Sequence, residues 1–137
     1  MNAPWSTIPQ LVDDAANRFG GQEAFVDEER RWTFTDYRDQ IHAASRALLA
    51  HDVQPGDRIA IWAPNLAEWA VAALGTHCIG AVLVPINTRF KGREAADLLT
   101  RSSARTLFTV TDFLDANYVS MLTEAGHGPD QLEQVVV

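Results

Sequence analysis

The sequence is poor in the residues that build covalent cross-links and metal sites. Its 137 residues contain one cysteine, Cys78, and only four histidines, His42, His51, His77 and His127, each in a different segment. A disulfide framework and a Cys/His metal site are therefore excluded, and no metal-binding residue is predicted. A chain without disulfides suits a reducing compartment, so we expect a cytoplasmic location.

Positive charge is also scarce. The chain has 11 basic residues against 18 acidic ones, a formal net charge of -7, and Lys91 is its only lysine. A protein with this balance repels a phosphate backbone on average, so nucleic acid is excluded as an expected partner. The overall composition, 47% hydrophobic and 21% charged, is that of an ordinary globular protein.

The common catalytic signatures are missing as well. The chain has neither the phosphate-binding pattern G-x-x-x-x-G-K-S/T nor the dinucleotide pattern G-x-G-x-x-G. It also lacks H-E-x-x-H and G-x-S-x-G, and its scattered histidines do not suggest a triad. We therefore predict no catalytic residue in this chain.

One long uncharged stretch could suggest a membrane span. Residues 69–86 carry no formal charge over 18 positions. Gly75, Gly80 and Pro85 interrupt the stretch, however, and a helix followed by a strand fits it better. We therefore predict no transmembrane segment. The first residues also lack the pattern of a secretory signal.

The periodicity of the apolar residues predicts alternating helices and strands. Thr35 and Asn65 are the expected caps of the second and third helices, and Tyr37, Ile41, Ala44 and Leu48 the buried stripe of the second. This alternation indicates an α/β fold with a mainly parallel sheet covered by helices, preceded by a helix and a small hairpin around Glu28-Glu29. The predicted helices span 7–19, 36–50, 65–78, 94–103 and 112–125, and the predicted strands span 23–27, 30–34, 58–62, 81–85, 106–110 and 134–137.

Two of these strands run into polar residues. The strand ending at Trp62 continues as Ala63-Pro64-Asn65, and the strand ending at Pro85 continues as Ile86-Asn87-Thr88-Arg89. Proline and asparagine at these points have a structural explanation, since they stop strand pairing and shape turns. Arg89 has a second explanation, because Lys91 adds another cation to the same loop and an anionic ligand could bind there.

The last residues, Q-V-V-V, read as part of a strand. We therefore expect residues 1–137 to be an incomplete domain. Such a chain would have exposed apolar faces, and we predict self-association through an exposed sheet edge.

Three ordered motifs resemble the N-terminal part of the adenylate-forming (AMP-binding) acyl-CoA synthetase superfamily. They are W-T-F-T-D-Y-R-D at 32–39, G-D-R-I-A-I-W-A-P-N at 56–65 and G-T-H-C-I-G-A-V-L-V-P-I-N-T-R at 75–89. The final N-T-R is similar to bacterial, actinobacterial-like fatty-acid-CoA ligases, some of which act on steroid-derived propanoates. In such enzymes the first core motif, matched by Thr33 and Tyr37, has a packing role.

The resemblance implies a ligase for a fatty acid or related carboxylic acid, acting in lipid metabolism. Such enzymes use ATP and Mg²⁺ to form an acyl-adenylate and then transfer the acyl group to CoA. The family's phosphate-binding loop and its C-terminal domain have no counterpart in residues 1–137, so this chain alone is expected to be inactive and to bind no cofactor tightly. Arg89 matches a position at which some members contact a phosphate of CoA.

Two alternatives remain open at this stage. The chain could be a non-catalytic interaction or regulatory remnant of an adenylating enzyme. It could also belong to a fatty-acyl-AMP ligase, which delivers its product to a carrier protein.

Overall fold

A computed structural model describes residues 5–27 and 29–137. Glu28, predicted at the hairpin tip, lies outside the described residues. The chain divides into two compact units, the first comprising the chain up to Gln54 together with Leu66–Gly80, the second Pro55–Asn65 and Ala81–Val137. The elements are α1 (Ile8–Phe19), β1 (Glu23–Asp27), β2 (Arg30–Thr33), α2 (Phe34–Ala50), β3 (Arg58–Trp62), α3 (Ala67–Cys78), β4 (Val82–Pro85), α4 (Gly92–Ser102), β5 (Thr106–Thr109), α5 (Tyr118–Glu124) and β6 (Gln134–Val136), with a short 3₁₀ turn at Pro129–Gln131.

The first unit is built from α1, α2, α3 and the antiparallel β1–β2 hairpin. Helices α2 and α3 approach closely because small residues line their contact. A Cβ atom at Gly75 would lie 3.0 Å from the Cβ of Ala44. The buried hydroxyl of Ser45 donates to the carbonyl oxygens of Ile41 (2.9 Å) and Gly75 (3.2 Å). Of the predicted stripe on α2, Ile41 and Leu48 are buried, whereas Tyr37 and Ala44 are half-buried.

The second unit contains a four-stranded parallel sheet in the order β4-β3-β5-β6. Ile59, Ala60, Ile61 and Trp62 of β3 are almost completely buried, as expected for a central strand of a parallel sheet. Helices α4 and α5 pack their apolar residues against this unit's core. The predicted α/β class with a parallel sheet is therefore confirmed.

Two predicted helix caps are wrong. Helix α2 is capped by Thr33, not Thr35: the Thr33 hydroxyl accepts from the amide of Asp36, and the Asp36 carboxylate accepts from the Thr33 amide at 3.0 Å. Helix α3 begins at Ala67, so Asn65 does not cap it. The carboxylate of Asp27, on the hairpin, accepts the Ala67 amide at 3.2 Å.

The helix predicted over 112–125 is also wrong in its first half. Leu114 and Asp115 have φ values of 51° and 61°, which no right-handed helix allows. The amide of Phe113 donates to the carbonyl of Ala116, and the amide of Ala116 donates to that of Phe113, closing a tight turn. Helix α5 starts only at Tyr118, where the Asn117 side chain accepts the Ser120 amide at 2.9 Å.

The uncharged stretch 69–86 forms most of α3 and all of strand β4, as the sequence indicated. Across residues 5–27 and 29–137, each helix is too short or too polar to cross a membrane.

Candidate functional site

The two polar tips predicted from the sequence lie at the same edge of the sheet. Strands β3 and β4 are parallel neighbours, and Ile61 lies opposite Pro85. The carboxyl ends of the two strands therefore lie side by side at one edge of the sheet. The amide of Ile86 extends this pairing by donating to the carbonyl of Ile61 at 2.9 Å. In α/β proteins, ligands usually bind at this edge of a parallel sheet.

The loop that follows β4 is held in place by four hydrogen bonds. The amide of Arg89 donates to the Asn87 side chain (2.9 Å), and the amide of Phe90 donates to the Asn87 carbonyl (3.0 Å). The indole Nε1 of Trp62 donates to the same carbonyl at 3.1 Å. The hydroxyl of Tyr118 donates to the carbonyl of Thr88 at 3.0 Å. Asn87 therefore shapes the turn, as the sequence predicted.

Positive charge is concentrated on and just after this loop. Arg89, Lys91 and Arg93 are exposed and form no ion pair within the described part of the chain. Arg30, by contrast, contacts Glu68, and Arg31 lies 2.5 Å from Glu23. The carboxylate of Glu94 accepts a hydrogen bond from the backbone amide of Lys91 at 2.8 Å. It forms no ion pair with a side chain in the described part of the chain. The loop presents unpaired cations in a chain whose net charge is negative.

Asn65 and Thr88 have smaller roles at this edge than their positions suggested. Asn65 is exposed and makes no side-chain hydrogen bond within the described ranges. Thr88 contributes its carbonyl oxygen to Tyr118. The exposed cations on and just after the loop are therefore Arg89, Lys91 and Arg93.

The remaining polar groups do not assemble into a second centre. Burial raises the pKa of the Cys78 thiol, which keeps the thiol protonated and poorly nucleophilic at neutral pH. His42 lies 3.3 Å from Asp13 in the first unit, whereas His51 and His77 lie at the ends of α2 and α3. The described residues contain no group of three His, Cys, Asp or Glu side chains placed to hold a metal ion.

A comparison of the sequence with known protein families gives a match over most of the chain. The family model described as AMP-binding enzyme matches residues 12–137. The chain belongs to the AMP-binding enzyme family. The resemblance inferred from the three motifs is therefore confirmed.

Curated relatives in this family are CoA ligases. The chain is 41% identical over 119 residues to the 3-(7a-methyl-1,5-dioxo-octahydro-1H-inden-4-yl)propanoyl:CoA ligase of Mycobacterium tuberculosis (strain ATCC 25618 / H37Rv), covering 87% of this chain and 24% of the relative. It is 42% identical over 121 residues to the ligase of the same name from Rhodococcus jostii (strain RHA1), covering 88% and 24%. The chain thus spans about a quarter of the length of these relatives.

Solved structures agree with the fold. The N-terminal domain of FACL13 from Mycobacterium tuberculosis superposes with a TM-score of 0.86 over 96% of this chain and 34% of that chain, at 22% identity. A Mycobacterium tuberculosis fatty acyl CoA synthetase gives 0.84 over 95% and 26%, also at 22% identity. At this identity the likeness supports the shared fold alone.

Three residues near Arg89 were not recognised from the sequence as belonging to the site. Arg93 follows the loop in the first turn of α4, and its proximity in sequence to Arg89 and Lys91 could have identified it. The sequence gives no sign that Trp62, the end of a predicted strand, or Tyr118 belongs to the site. Their hydrogen-bond acceptors are backbone carbonyls, which have no signature in the sequence.

Proposed function

We propose that residues 1–137 are the N-terminal segment of an ATP-dependent carboxylic acid:CoA ligase. The observation that carries this proposal is the family match over residues 12–137 together with 41% and 42% identity to two CoA ligases. The segment covers 24% of those relatives, which is consistent with an incomplete large domain. In this proposal the complete enzyme acts in lipid metabolism in the cytoplasm.

The reaction has two balanced steps. A carboxylate oxygen of the acid attacks the α-phosphorus of ATP, and pyrophosphate leaves with the electrons of the broken P–O bond, giving an acyl-adenylate. The thiolate sulfur of CoA then attacks the acyl carbonyl, and AMP leaves to give the thioester. The mixed anhydride of the first step supplies a carbonyl that is a far better electrophile than a carboxylate. Mg²⁺ would assist at the ATP phosphates, but the described residues offer no suitable set of ligands for it.

The part of this chain assigned to substrate binding is the loop around Arg89. We assign its guanidinium to a phosphate of CoA, since planar bidentate hydrogen bonding suits a phosphate group. Lys91 and Arg93 would add long-range attraction for the same anion, because both are exposed and without a carboxylate partner in the described ranges. Their effect should weaken as salt concentration rises.

The acid substrate is proposed by analogy with the relatives. Both act, according to their names, on a propanoate attached to a fused bicyclic dione. A propanoate side chain on a fused-ring ketone is therefore the favoured substrate class, ahead of a linear fatty acid. Formation of thioester from a panel containing both classes tests this preference, and faster turnover of linear acids would contradict it.

Replacing Arg89 tests the binding role. In the complete enzyme, Arg89→Ala should raise the KM for CoA by about tenfold, in line with the loss of one charge-assisted hydrogen bond. The KM for ATP and the rate of pyrophosphate release should stay nearly unchanged. Arg46→Ala is the matched control, because Arg46 is also exposed and without an ion pair among the described residues but lies on α2. Equal changes in both KM values would remove Arg89 from the CoA site.

The inactivity of the segment has its own test. The 137-residue chain is incubated with ATP, Mg²⁺, CoA and the acid panel, and AMP is measured. We expect no release above background, because the described residues contain no metal-binding cluster and the chain contains no glycine-rich phosphate loop. AMP formation that depends on the added acid would contradict the proposal.

A further inference from the structure

The side chains of Trp62 and Tyr118 form a buried stack beneath the loop that carries Arg89. Their ring centroids are 4.0 Å apart and their planes differ by only 4°. Trp62 is the last residue of β3 and is fully buried, and Tyr118 is the first residue of α5 and is 2% exposed. Each ring is thus fixed both by its own element and by the other ring.

Both polar atoms of the stack point to the same short segment. The Trp62 indole N–H donates to the carbonyl of Asn87, and the Tyr118 hydroxyl donates to the carbonyl of Thr88. A buried indole or phenol requires a hydrogen-bond partner, because leaving one unpaired costs the desolvation of the group. Here both requirements are met by two consecutive carbonyls, immediately before Arg89. Breaking the Tyr118 contact would remove the partner of both the hydroxyl and the Thr88 carbonyl. Breaking the Trp62 contact would leave the indole N–H without a partner, whereas the Asn87 carbonyl would still accept the Phe90 amide.

The remaining bonds of the loop transmit this constraint to Arg89. The Asn87 side chain accepts the Arg89 amide, and the Phe90 ring packs against the core of the second unit. The backbone on both sides of Arg89 is therefore anchored, while its side chain is exposed. Burial raises the pKa of Tyr118, so its hydroxyl keeps its proton and remains a donor at neutral pH.

We propose that the stacked Trp62–Tyr118 pair is a positioning device that holds the Arg89 loop in the conformation that binds CoA. This inference rests on the proposed function for its ligand. The two aromatic residues do not touch the ligand in this proposal and act only through the loop. Pre-organising the loop saves the entropy of ordering it when the ligand binds.

The decisive variant is Tyr118→Phe, which removes one hydroxyl and keeps the stacked ring. In the complete enzyme we expect the KM for CoA to rise about fivefold, the effect of losing one hydrogen bond, with the KM for ATP unchanged. Tyr37→Phe is the matched control. Tyr37 is the only other tyrosine of the chain, and its hydroxyl makes no hydrogen bond within the described residues. It should leave both KM values unchanged.

A double-mutant cycle separates positioning through Arg89 from a general structural effect. In the Arg89→Ala background, Tyr118→Phe should cause little further change in the KM for CoA, because the group that it positions is gone. Full additivity, or an equal rise in the KM values for CoA and ATP, would overturn the proposal.

Hydrogen exchange gives a readout that does not depend on activity. The amides of the segment 87–91 should exchange faster in Tyr118→Phe than in the wild type or in Tyr37→Phe, whereas α4 should be unchanged. If no acid is activated, the proposed function fails, yet faster exchange would still support the positioning role. Unchanged exchange of 87–91 would overturn the positioning role even in a fully active ligase.

Discussion

At the scale of single residues, Gly92 is a position where the fold leaves no room for a side chain. A Cβ atom placed there would lie 2.0 Å from the carbonyl oxygen of Met121 and 2.6 Å from its carbonyl carbon. These atoms belong to the backbone of α5 and cannot rotate away. Gly92 therefore allows α4 and α5 to touch directly, just beyond the loop that carries Arg89.

The substitution Gly92→Ala should destabilise the protein despite the better helix propensity of alanine. Propensity favours alanine by at most about 1 kcal/mol, whereas forcing backbone apart in a packed region costs about 1–3 kcal/mol or more. The clash should dominate, and the urea midpoint of unfolding should fall. Gly21→Ala is the control, since a Cβ there meets nothing within 4 Å. If both variants unfold at the same urea concentration, the contact between α4 and α5 is looser than described.

Residue identity predicted the arrangement of the loop that carries Arg89 only in part. The order Pro85, Asn87, Arg89 indicated a polar strand end, and the structure places it at the carboxyl edge of the sheet. Nothing in the sequence connects Trp62 and Tyr118 with this loop, because a carbonyl acceptor looks the same at every residue. The amphipathic character of tryptophan and tyrosine signals only that a partner exists, not where it lies.

At the scale of elements, helix positions and the C-terminal ends of the first three helices were predictable, but helix N-termini were not. Thr33 and Thr35 have the same side-chain chemistry and lie two residues apart, so composition could not choose between them. The choice depends on Asp36, whose carboxylate reaches the Thr33 amide and hydroxyl at 3.0 and 2.7 Å. For α3 the cap comes from Asp27 on the hairpin, a long-range contact that local sequence cannot reveal. The turn at Leu114 and Asp115 was missed because neither residue is a glycine.

The assignment of the α2 cap can be tested with two threonine variants. Thr33→Ala should lower the free energy of unfolding by about 1 kcal/mol, the usual effect of losing an N-cap side chain. Thr35→Ala is the matched control and should have an effect within about 0.5 kcal/mol, because Thr35 caps nothing in the structure. Urea unfolding followed by circular dichroism measures both. A larger effect for Thr35→Ala than for Thr33→Ala would instead support Thr35 as the cap, as predicted from the sequence.

The same cap should make stability depend on pH. The Thr33 hydroxyl and then the Thr33 amide lower the pKa of Asp36 through hydrogen bonds to its carboxylate. A depressed pKa in the folded state stabilises the protein above the unfolded pKa, and this contribution disappears as the pH falls through the folded value. The stability difference between wild type and Asp36→Ala should therefore be full at pH 7 and shrink below about pH 4. A difference that is the same at both pH values would contradict the reciprocal cap.

At the scale of the whole molecule, the two edges of the parallel sheet present apolar side chains to solvent. Strands β4 and β6 lie at the ends of the order β4-β3-β5-β6, and Val82 and Val136 on these strands are 47% and 42% exposed. An exposed edge with apolar residues is a template for pairing with another chain. Self-association was predicted from the strand-like final residues and stays a prediction. The strand order shows that β4 and β6 are the edge strands of this sheet.

We therefore expect the isolated 137-residue chain to self-associate through β4 and β6. A lysine on an edge strand opposes such pairing, because joining two edges would then bring like charges together and bury them. Val82→Lys should shift the chain toward monomer in light scattering as concentration rises. Leu114→Lys is the control, because Leu114 is apolar and 81% exposed but lies in a turn outside the four-stranded sheet. An equal gain in monomer from both variants would mean that general apolar exposure, rather than the strand edge, drives association.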